Sequence, residues 1–353
     1  MHVLHVVGAR PNFMKAAPVV RALQARVVRQ TLVHTGQHYD ANMSDVFFEQ
    51  LAMAAPDVNL EVGSGSHAKQ TADIMMRFEP VVLERKPDVV LVYGDVNSTV
   101  AATLVCSKLQ VRVGHVEAGL RSFDRTMPEE INRLVTDQLA DLLFTPSEDA
   151  DANLRREGVP SEKIHRVGNV MIDSLLQLLP AARTSPRNGF PDRFALVTLH
   201  RPSNVDDAEH LRSILESLLT INDDLQIVFP IHPRTQERMV QFGLDTRRLH
   251  LVGPLPYVEF LALQTRATVV ITDSGGIQEE TTYLGVPCLT LRQNTERPIT
   301  VTLGTNVLVG RDRTQLCSEV SKILAGQAKK RTIPPLWDGN AADRIVDVLQ
   351  HIK

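Results

Sequence analysis

The chain is predicted to be an α/β protein of two domains, each built on a parallel sheet with helices over both faces. Three observations predict this. Short runs rich in β-branched residues alternate with helical patterns along almost the whole chain. The runs are nearly continuous in apolar residues, as strands buried on both faces are. And 353 residues amount to about two domains at roughly 150 residues each.

In the first half the strand-like runs are Val3–Val7, Thr31–His34, Val89–Tyr93, Arg112–His115 and Leu142–Phe144. In the second they are Ala195–Leu199, Gln226–Pro230, Leu249–Val252, Thr268–Thr272, Cys288–Leu291 and Asn306–Val309. Helical segments such as Gln70–Arg85 and Leu211–Thr220 lie between them and imply right-handed βαβ crossovers. Residues 179–192 (LPAARTSPRNGFPD) hold three prolines and a glycine with little periodicity, and are predicted to be an interdomain linker. This gives an N-terminal domain over 1–178 and a C-terminal domain over 193–340. The amphipathic last segment, Ala341–Ile352, could pack on either.

Composition excludes several function classes. With 43% hydrophobic and 22% charged residues the balance is that of a globular chain. Thirty-eight Lys and Arg face 41 Asp and Glu, a net charge of −3 without a basic run, so no nucleic acid and no membrane surface is expected as a partner. Cys106, Cys288 and Cys317 are odd in number and widely spaced, which argues against a disulfide framework and for a reducing compartment. The N-terminal apolar run is too short for a signal segment, and no window offers the ~18 apolar residues of a spanning helix. A cytoplasmic location follows as an expectation.

The polar residues concentrate where strands end, and in open α/β sheets ligands bind at the carboxyl ends of strands. Two such domains facing each other would form a cleft. Thr272–Glu280 (TDSGGIQEE) follows an apolar run and opens a helix. Its glycines let a ligand approach backbone N–H groups, and a helix N-terminus favours an anion by about 0.3–1 kcal/mol at an exposed site. Ser274 can add a hydroxyl, and Glu280 could accept from a ribose diol. The plainer alternative is a glycine turn with a serine cap.

Gly8–Lys15 (GARPNFMK) places Arg10 and Lys15 at a helix start, where acids are normally preferred, so an anionic ligand is indicated. A solvated Lys15 is the alternative. Asp95 ends one buried strand, Glu117 the next, and Glu129 begins a helix soon after. Three carboxylates would then converge on one sheet edge, with Arg121 and Arg133 as candidate partners. For Glu129 alone, charge complementation of the helix N-terminus is the ordinary explanation. His200 and His232 follow successive strands of the second half, and Arg297 adds a cation at a predicted helix start.

Other patterns point nowhere. Gly63–Ala68 matches a dinucleotide fingerprint, but no buried strand precedes it. A Walker motif and a nucleophile elbow are missing. His34 and His38 lack a third partner for a metal.

The segments GARPNFMK, VYGDVNST, HVEAGLRS, PEEINR, TDSGGIQEE and TERP occur in this order between residues 2 and about 310. Together they closely resemble the bacterial non-hydrolysing UDP-N-acetylglucosamine 2-epimerase family. The resemblance implies a GT-B architecture: two Rossmann-like domains, the active site in the cleft between them, and the C-terminal helix 341–353 joined to the N-terminal domain. It implies a homodimer that takes a UDP-N-acetyl hexosamine and needs no metal or other cofactor. The implied reaction removes the C2 proton as UDP leaves C1, giving 2-acetamidoglucal, to which UDP adds back after protonation of the opposite face. This would supply ManNAc-type precursors for cell-surface polysaccharide. Such chemistry needs carboxylates to move protons and cations for the departing diphosphate.

By motif, Arg10 and Lys15 would contact substrate, and Asp95, Glu117 and Glu129 would be the acid/base groups, with the first base left open. Arg133 would orient them or the sugar. His200, among the catalytic residues, would hold the diphosphate with Arg297 and the Ser274-Gly275-Gly276 amides. Glu280 would take the ribose, Phe260 would stack on uracil, and Leu255 would meet the base edge through its backbone. Gln37–Ala41 (QHYDA) departs from the QHREM that many bacterial members carry, which sets aside activation by a second substrate molecule. The openings ARPNF and His232-Pro233-Arg234 also resemble relatives acting on UDP-2,3-diacetamido uronic acids.

Overall fold

The computed structural model describes residues 1–36, 50, 51, 53–186 and 189–351. It divides into two compact units, residues 1–177 with 335–353, and residues 178–334. Among the described residues, the first holds a parallel sheet of seven strands: β1 (His2–Val7), β2 (Arg29–His34), β3 (Val58–Asn59), β4 (Val89–Tyr93), β5 (Arg112–Val116), β6 (Leu142–Thr145) and β7 (Ile164–Arg166). Their order is β3-β2-β1-β4-β5-β6-β7. The second unit holds six: β8 (Phe194–Thr198), β9 (Gln226–Pro230), β10 (His250–Val252), β11 (Val269–Thr272), β12 (Cys288–Thr290) and β13 (Asn306–Leu308), ordered β10-β9-β8-β11-β12-β13. Both sheets are doubly wound, and the fold class expected from the sequence is the one observed.

The order reverses between β1 and β4 in one sheet and between β8 and β11 in the other. At each reversal the connecting chains leave in opposite directions and open a crevice at the strand ends. β1 pairs with β4 in the register Val3↔Val89 to Val6↔Val92, so Val7 and Tyr93 end side by side. β11 pairs with β8 from Val269↔Ala195 to Thr272↔Thr198.

Helices cover the sheets by burying one stripe each. Helix His67–Arg85 places Gln70, Ile74, Phe78 and Val82 inward at four-residue spacing. Ser66 starts it by accepting a hydrogen bond from Lys69 N (3.3 Å), which is what the glycine-rich segment before it does here. The C-terminal helix Ala341–Gln350 buries Ala341, Ala342, Ile345, Val346 and Leu349 and lies in the first unit, where Arg26 reaches Asp347 at 3.1 Å. Asp173, buried, caps its start by accepting from Ala341 N (3.3 Å) and Ala342 N (2.8 Å).

Two features differ from expectation. β3 and β7 are short edge strands whose residues are at most half-buried, so neither leaves an apolar run to read. The segment read as a linker is helical as far as Thr184, because helix Val170–Thr184 runs on through Pro180. Leu175, Leu178, Leu179 and Ala182 are all buried along it, and that burial outweighs the ~3 kcal/mol cost of an interior proline.

Candidate active site

In the first unit the crevice is floored by the turns after β1, β4 and β5. Asn12 ties two of them: its Oδ1 accepts from Gly8 N (3.1 Å) and Ala9 N (3.0 Å), and its Nδ2 donates to Tyr93 O (2.7 Å). The helix Arg10–Ala25 begins there, with no acidic residue in its first turn. The side chain of Arg10 lies outside the described part of the structure, as do Gln37–Ala41 and His38.

Lys15, one turn further on, is buried and not solvated. Its ammonium pairs with the carboxylate of Glu117 in the turn after β5. Glu117 itself has φ +74°, a left-handed conformation costing of order 1–3 kcal/mol in a residue with a side chain. Gly94 lies beneath the pair: a Cβ there would fall 2.7 Å from Lys15 Nζ and 3.2 Å from Glu117 Oε2.

Asp95, half-buried, pairs with Arg133 Nη1. Arg133 is fully buried on helix Pro128–Leu139 and binds Glu130 through Nη2 (2.7 Å) and Nε (3.1 Å). Glu130 also accepts from Ser122 N (2.9 Å), Ser122 Oγ (3.0 Å) and Phe123 N (3.0 Å). Burial alone would raise the carboxyl of Glu130, but the bonds from Ser122 and Arg133 hold it below its usual range. Glu129 is exposed in the first turn of the same helix, so Glu130 is the carboxylate of this network. Arg121 does not join the site carboxylates. It is buried against Asp137 (2.7 Å) and Glu157 (2.6 Å).

In the second unit the strand ends of β8 and β11 carry His200 and the segment Asp273–Gly276. Asp273 is fully buried and accepts from His200 N (3.1 Å), Arg201 N (2.9 Å) and Asn204 Nδ2 (3.1 Å), while His200 Nδ1 stands 2.9 Å away. Burial pushes its carboxyl up, yet these bonds outweigh it and bring it to about 2. The ring of His200 is exposed and stacks at a tilt on His232, 5.9 Å between centroids.

Ser274 precedes helix Gly275–Leu284 without capping it through its side chain, and no acid sits in the first turn. Ser274 N donates to Thr272 Oγ1 (3.0 Å), and a helix start that carries no acid favours an anion. Gly275 is packed against Arg297 and Glu296: a Cβ there would lie 2.7 Å from Glu296 Oε1 and 3.0 Å from Arg297 Cζ. Arg297 is buried and its charge is shared, with Glu279 Oε1 3.0 Å from Nε and Glu296 against Nη1. Glu296 also meets Arg292 at 2.7 Å and is held well below the carboxylate range, because the cations overcome its burial. Glu280 is buried and accepts from Tyr257 Oη at 2.7 Å. Its burial raises the carboxyl to about 7 despite that bond. Phe260 and Leu255 are half-buried against the cluster of Phe194, Leu196 and Val228.

The structure thus brings Lys15, Glu117, Asp95 and Arg133 together in one unit, and His200, Ser274, Gly275, Gly276 and Arg297 in the other. Sequence reasoning missed Asn12, Glu130, Asp137, Asp273 and Tyr257. One signal was present: Glu130, Arg133 and Asp137 are spaced to share a helix face, and that face is buried. Charged residues on the inward face of a helix mark a polar network. Among the described residues no group of His, Cys, Asp and Glu could hold a metal ion, and no helix is long and apolar enough to cross a membrane.

Comparison with known proteins agrees with this architecture. A family model described as UDP-N-acetylglucosamine 2-epimerase matches residues 21–350. The UDP-N-acetylglucosamine 2-epimerase of Methanocaldococcus jannaschii is 44% identical over 362 residues, covering 99% of this chain and 98% of its own. The UDP-2,3-diacetamido-2,3-dideoxy-D-glucuronate 2-epimerase of Pseudomonas aeruginosa is 43% identical over 353 residues, covering 99% of each. The crystal structure of the M. jannaschii enzyme in complex with UDP-GlcNAc and UDP superposes with a TM-score of 0.93 over 100% of both chains. That of the Neisseria meningitidis enzyme bound to UDP-GlcNAc, 32% identical, gives 0.91, again over 100% of both. With two doubly wound parallel-sheet units of the GT-B type and a match over nearly its full length, the chain belongs to the UDP-N-acetylglucosamine 2-epimerase family.

Proposed function

We propose that the protein reversibly epimerises UDP-GlcNAc and UDP-ManNAc at C2 without net hydrolysis. The observation behind this reading is the buried Lys15–Glu117 pair beside Asp95–Arg133 at the ends of β4 and β5. C2 has no adjacent carbonyl, so its hydrogen is barely acidic. A carboxylate takes the C2 proton while the C2–H electron pair forms the C1=C2 bond and UDP leaves from C1 with the C1–O pair. The 2-acetamidoglucal then receives a proton on the opposite face of C2 as a UDP oxygen re-forms the bond to C1.

Asp95, Glu117 and Glu129 are the acid/base groups in this reading, Arg133 orients them or the sugar, and Arg10 and Lys15 contact the substrate. The Ser274-Gly275-Gly276 helix start, with His200 and Arg297, holds the diphosphate. Glu280 holds the ribose, and Phe260 and Leu255 the uracil. The protein works as a cytoplasmic homodimer and supplies ManNAc-type precursors for cell-surface polysaccharide.

Turnover of UDP-GlcNAc in deuterated water tests this. Deuterium should enter C2 of both UDP-sugars, with UDP-ManNAc accumulating. Retained C2 protium refutes it, and free ManNAc plus UDP as the main products would mean a hydrolysing enzyme. A second reading, C2 epimerisation of a UDP-2,3-diacetamido uronic acid, is favoured by the 43% identity to the P. aeruginosa relative. NMR of both substrates side by side separates the two.

A further inference from the structure

Against the turns that carry Asp95 and Glu117 lies a buried set of charged residues. Asp137, fully buried on the inward face of helix Pro128–Leu139, stands at its centre. Its Oδ1 is 2.6 Å from His115 Nδ1. The other nitrogen of that ring, Nε2, faces the carbonyl oxygen of Gly94 at 2.8 Å and donates to it. Asp137 Oδ2 accepts from Gly119 N at 3.1 Å and pairs with Arg121, which Glu157 clamps from the other side. One carboxylate therefore reaches the Gly94–Asp95 turn through His115 and the Glu117–Gly119 turn directly.

Both turns need holding. Gly94, Glu117 and Gly119 all have positive φ, at +64°, +74° and +81°. Glu117, the one with a side chain, is in a conformation that persists only where the surroundings over-determine it. A Cβ at Gly119 would lie 2.9 Å from the Ala150 carbonyl carbon, so the chain cannot relax on that side.

We propose that Asp137 is a positioning residue for the C2 proton transfers, fixing Asp95 and Glu117 relative to each other through His115 and Gly119. The proposal rests on the epimerase reading above. Shifting either carboxylate by about 1 Å is enough to cost about 100-fold in rate, while the diphosphate and ribose groups, carried by other turns, are undisturbed.

The test is C2 deuterium exchange by full-length protein carrying Asp137→Asn. The expected result is a fall of about 100-fold in kcat with KM for UDP-GlcNAc and the affinity for UDP unchanged. In a Glu117→Gln background the same substitution should cost little more, since the placement of Asp95 relative to Glu117 no longer limits the rate once Glu117 cannot move a proton. An unchanged kcat, a matching loss of UDP affinity, or additive effects in the double variant would overturn the proposal. Should Asp137→Asn fail to fold, His115→Gln carries the same test: its amide can still donate to Gly94 O but no longer links that turn to Asp137, and full activity would refute the inference. Absence of exchange in the wild-type protein refutes the epimerase reading itself. Exchange in wild type with an undiminished variant refutes only the role of Asp137.

Discussion

Lys15 and Glu117 form an ion pair in the interior of the first unit, with side chains 7% and 4% exposed, directly above Gly94. No room is left for a methyl group under the pair, and φ of +64° already disfavours one. Gly94→Ala should therefore push Lys15 and Glu117 apart without removing either. The expected outcome is a loss of about 100-fold in C2 exchange with UDP binding retained, measured by NMR exchange and calorimetry on one preparation.

The adjacent carboxylates Glu129 and Glu130 should respond in opposite ways. Glu129→Gln, on an exposed first turn, should leave the melting temperature unchanged and lower turnover by about 10²–10⁴, as should Asp95→Asn and Glu117→Gln. Glu130→Gln breaks a buried ion pair with Arg133, a change worth about 3–5 kcal/mol, and should lower the melting temperature by several degrees. Thermal melts set beside exchange rates distinguish them. If Glu129→Gln keeps full activity, its acid/base role is lost.

Glu280 predicts a pH dependence. Its carboxyl is raised from 4.5 to about 7 in the folded protein by burial. Because the folded value lies above the unfolded one, the stability it contributes is full below pH 4.5 and is lost as pH rises through 7. That loss is about 3 kcal/mol at 1.36 kcal/mol per unit, and Glu280→Gln should abolish it. For a carboxylate accepting from a ribose diol the sign reverses for ligand: UDP affinity should rise between pH 6 and 8 in wild type and stay flat in Glu280→Gln. Calorimetric titration at three pH values reads both.

Gly275 makes the same kind of prediction in the second unit. A methyl group there meets Glu296 and Arg297 and should displace the guanidinium from the helix N-terminus. Gly275→Ala should weaken UDP by about tenfold, or 1.4 kcal/mol, with the fold intact by circular dichroism. Unchanged affinity would remove Arg297 from the diphosphate site.

Legibility in the sequence followed burial. β4, VVLVY, is buried at every position and was visible as an apolar run. β7, half-buried at an edge, was not. Pro180 looked like a breaker because a local rule sees the missing donor and not the leucines that cover the helix around it. In the site, Asp95 and Glu117 were legible because each ends a legible strand. The phase of helix Pro128–Leu139 was not, so Glu129 could be seen and Glu130 could not be told apart from it.

By itself, then, the sequence determined two doubly wound sheets, the strand ends at which polar residues gather, and the family. Those are local properties, written in periodicities of two to four residues and in contiguous motifs. Only the tertiary structure decided which charges meet. Lys15 and Glu117 are 102 residues apart and Arg121 and Glu157 are 36 apart. Arg121, by sequence a candidate partner for the site carboxylates, is held by Asp137 instead. Pairing of that kind depends on sheet order and helix rotation, and in a buried site the Coulomb energy of a charge is set by whichever neighbour the fold brings within a few ångströms.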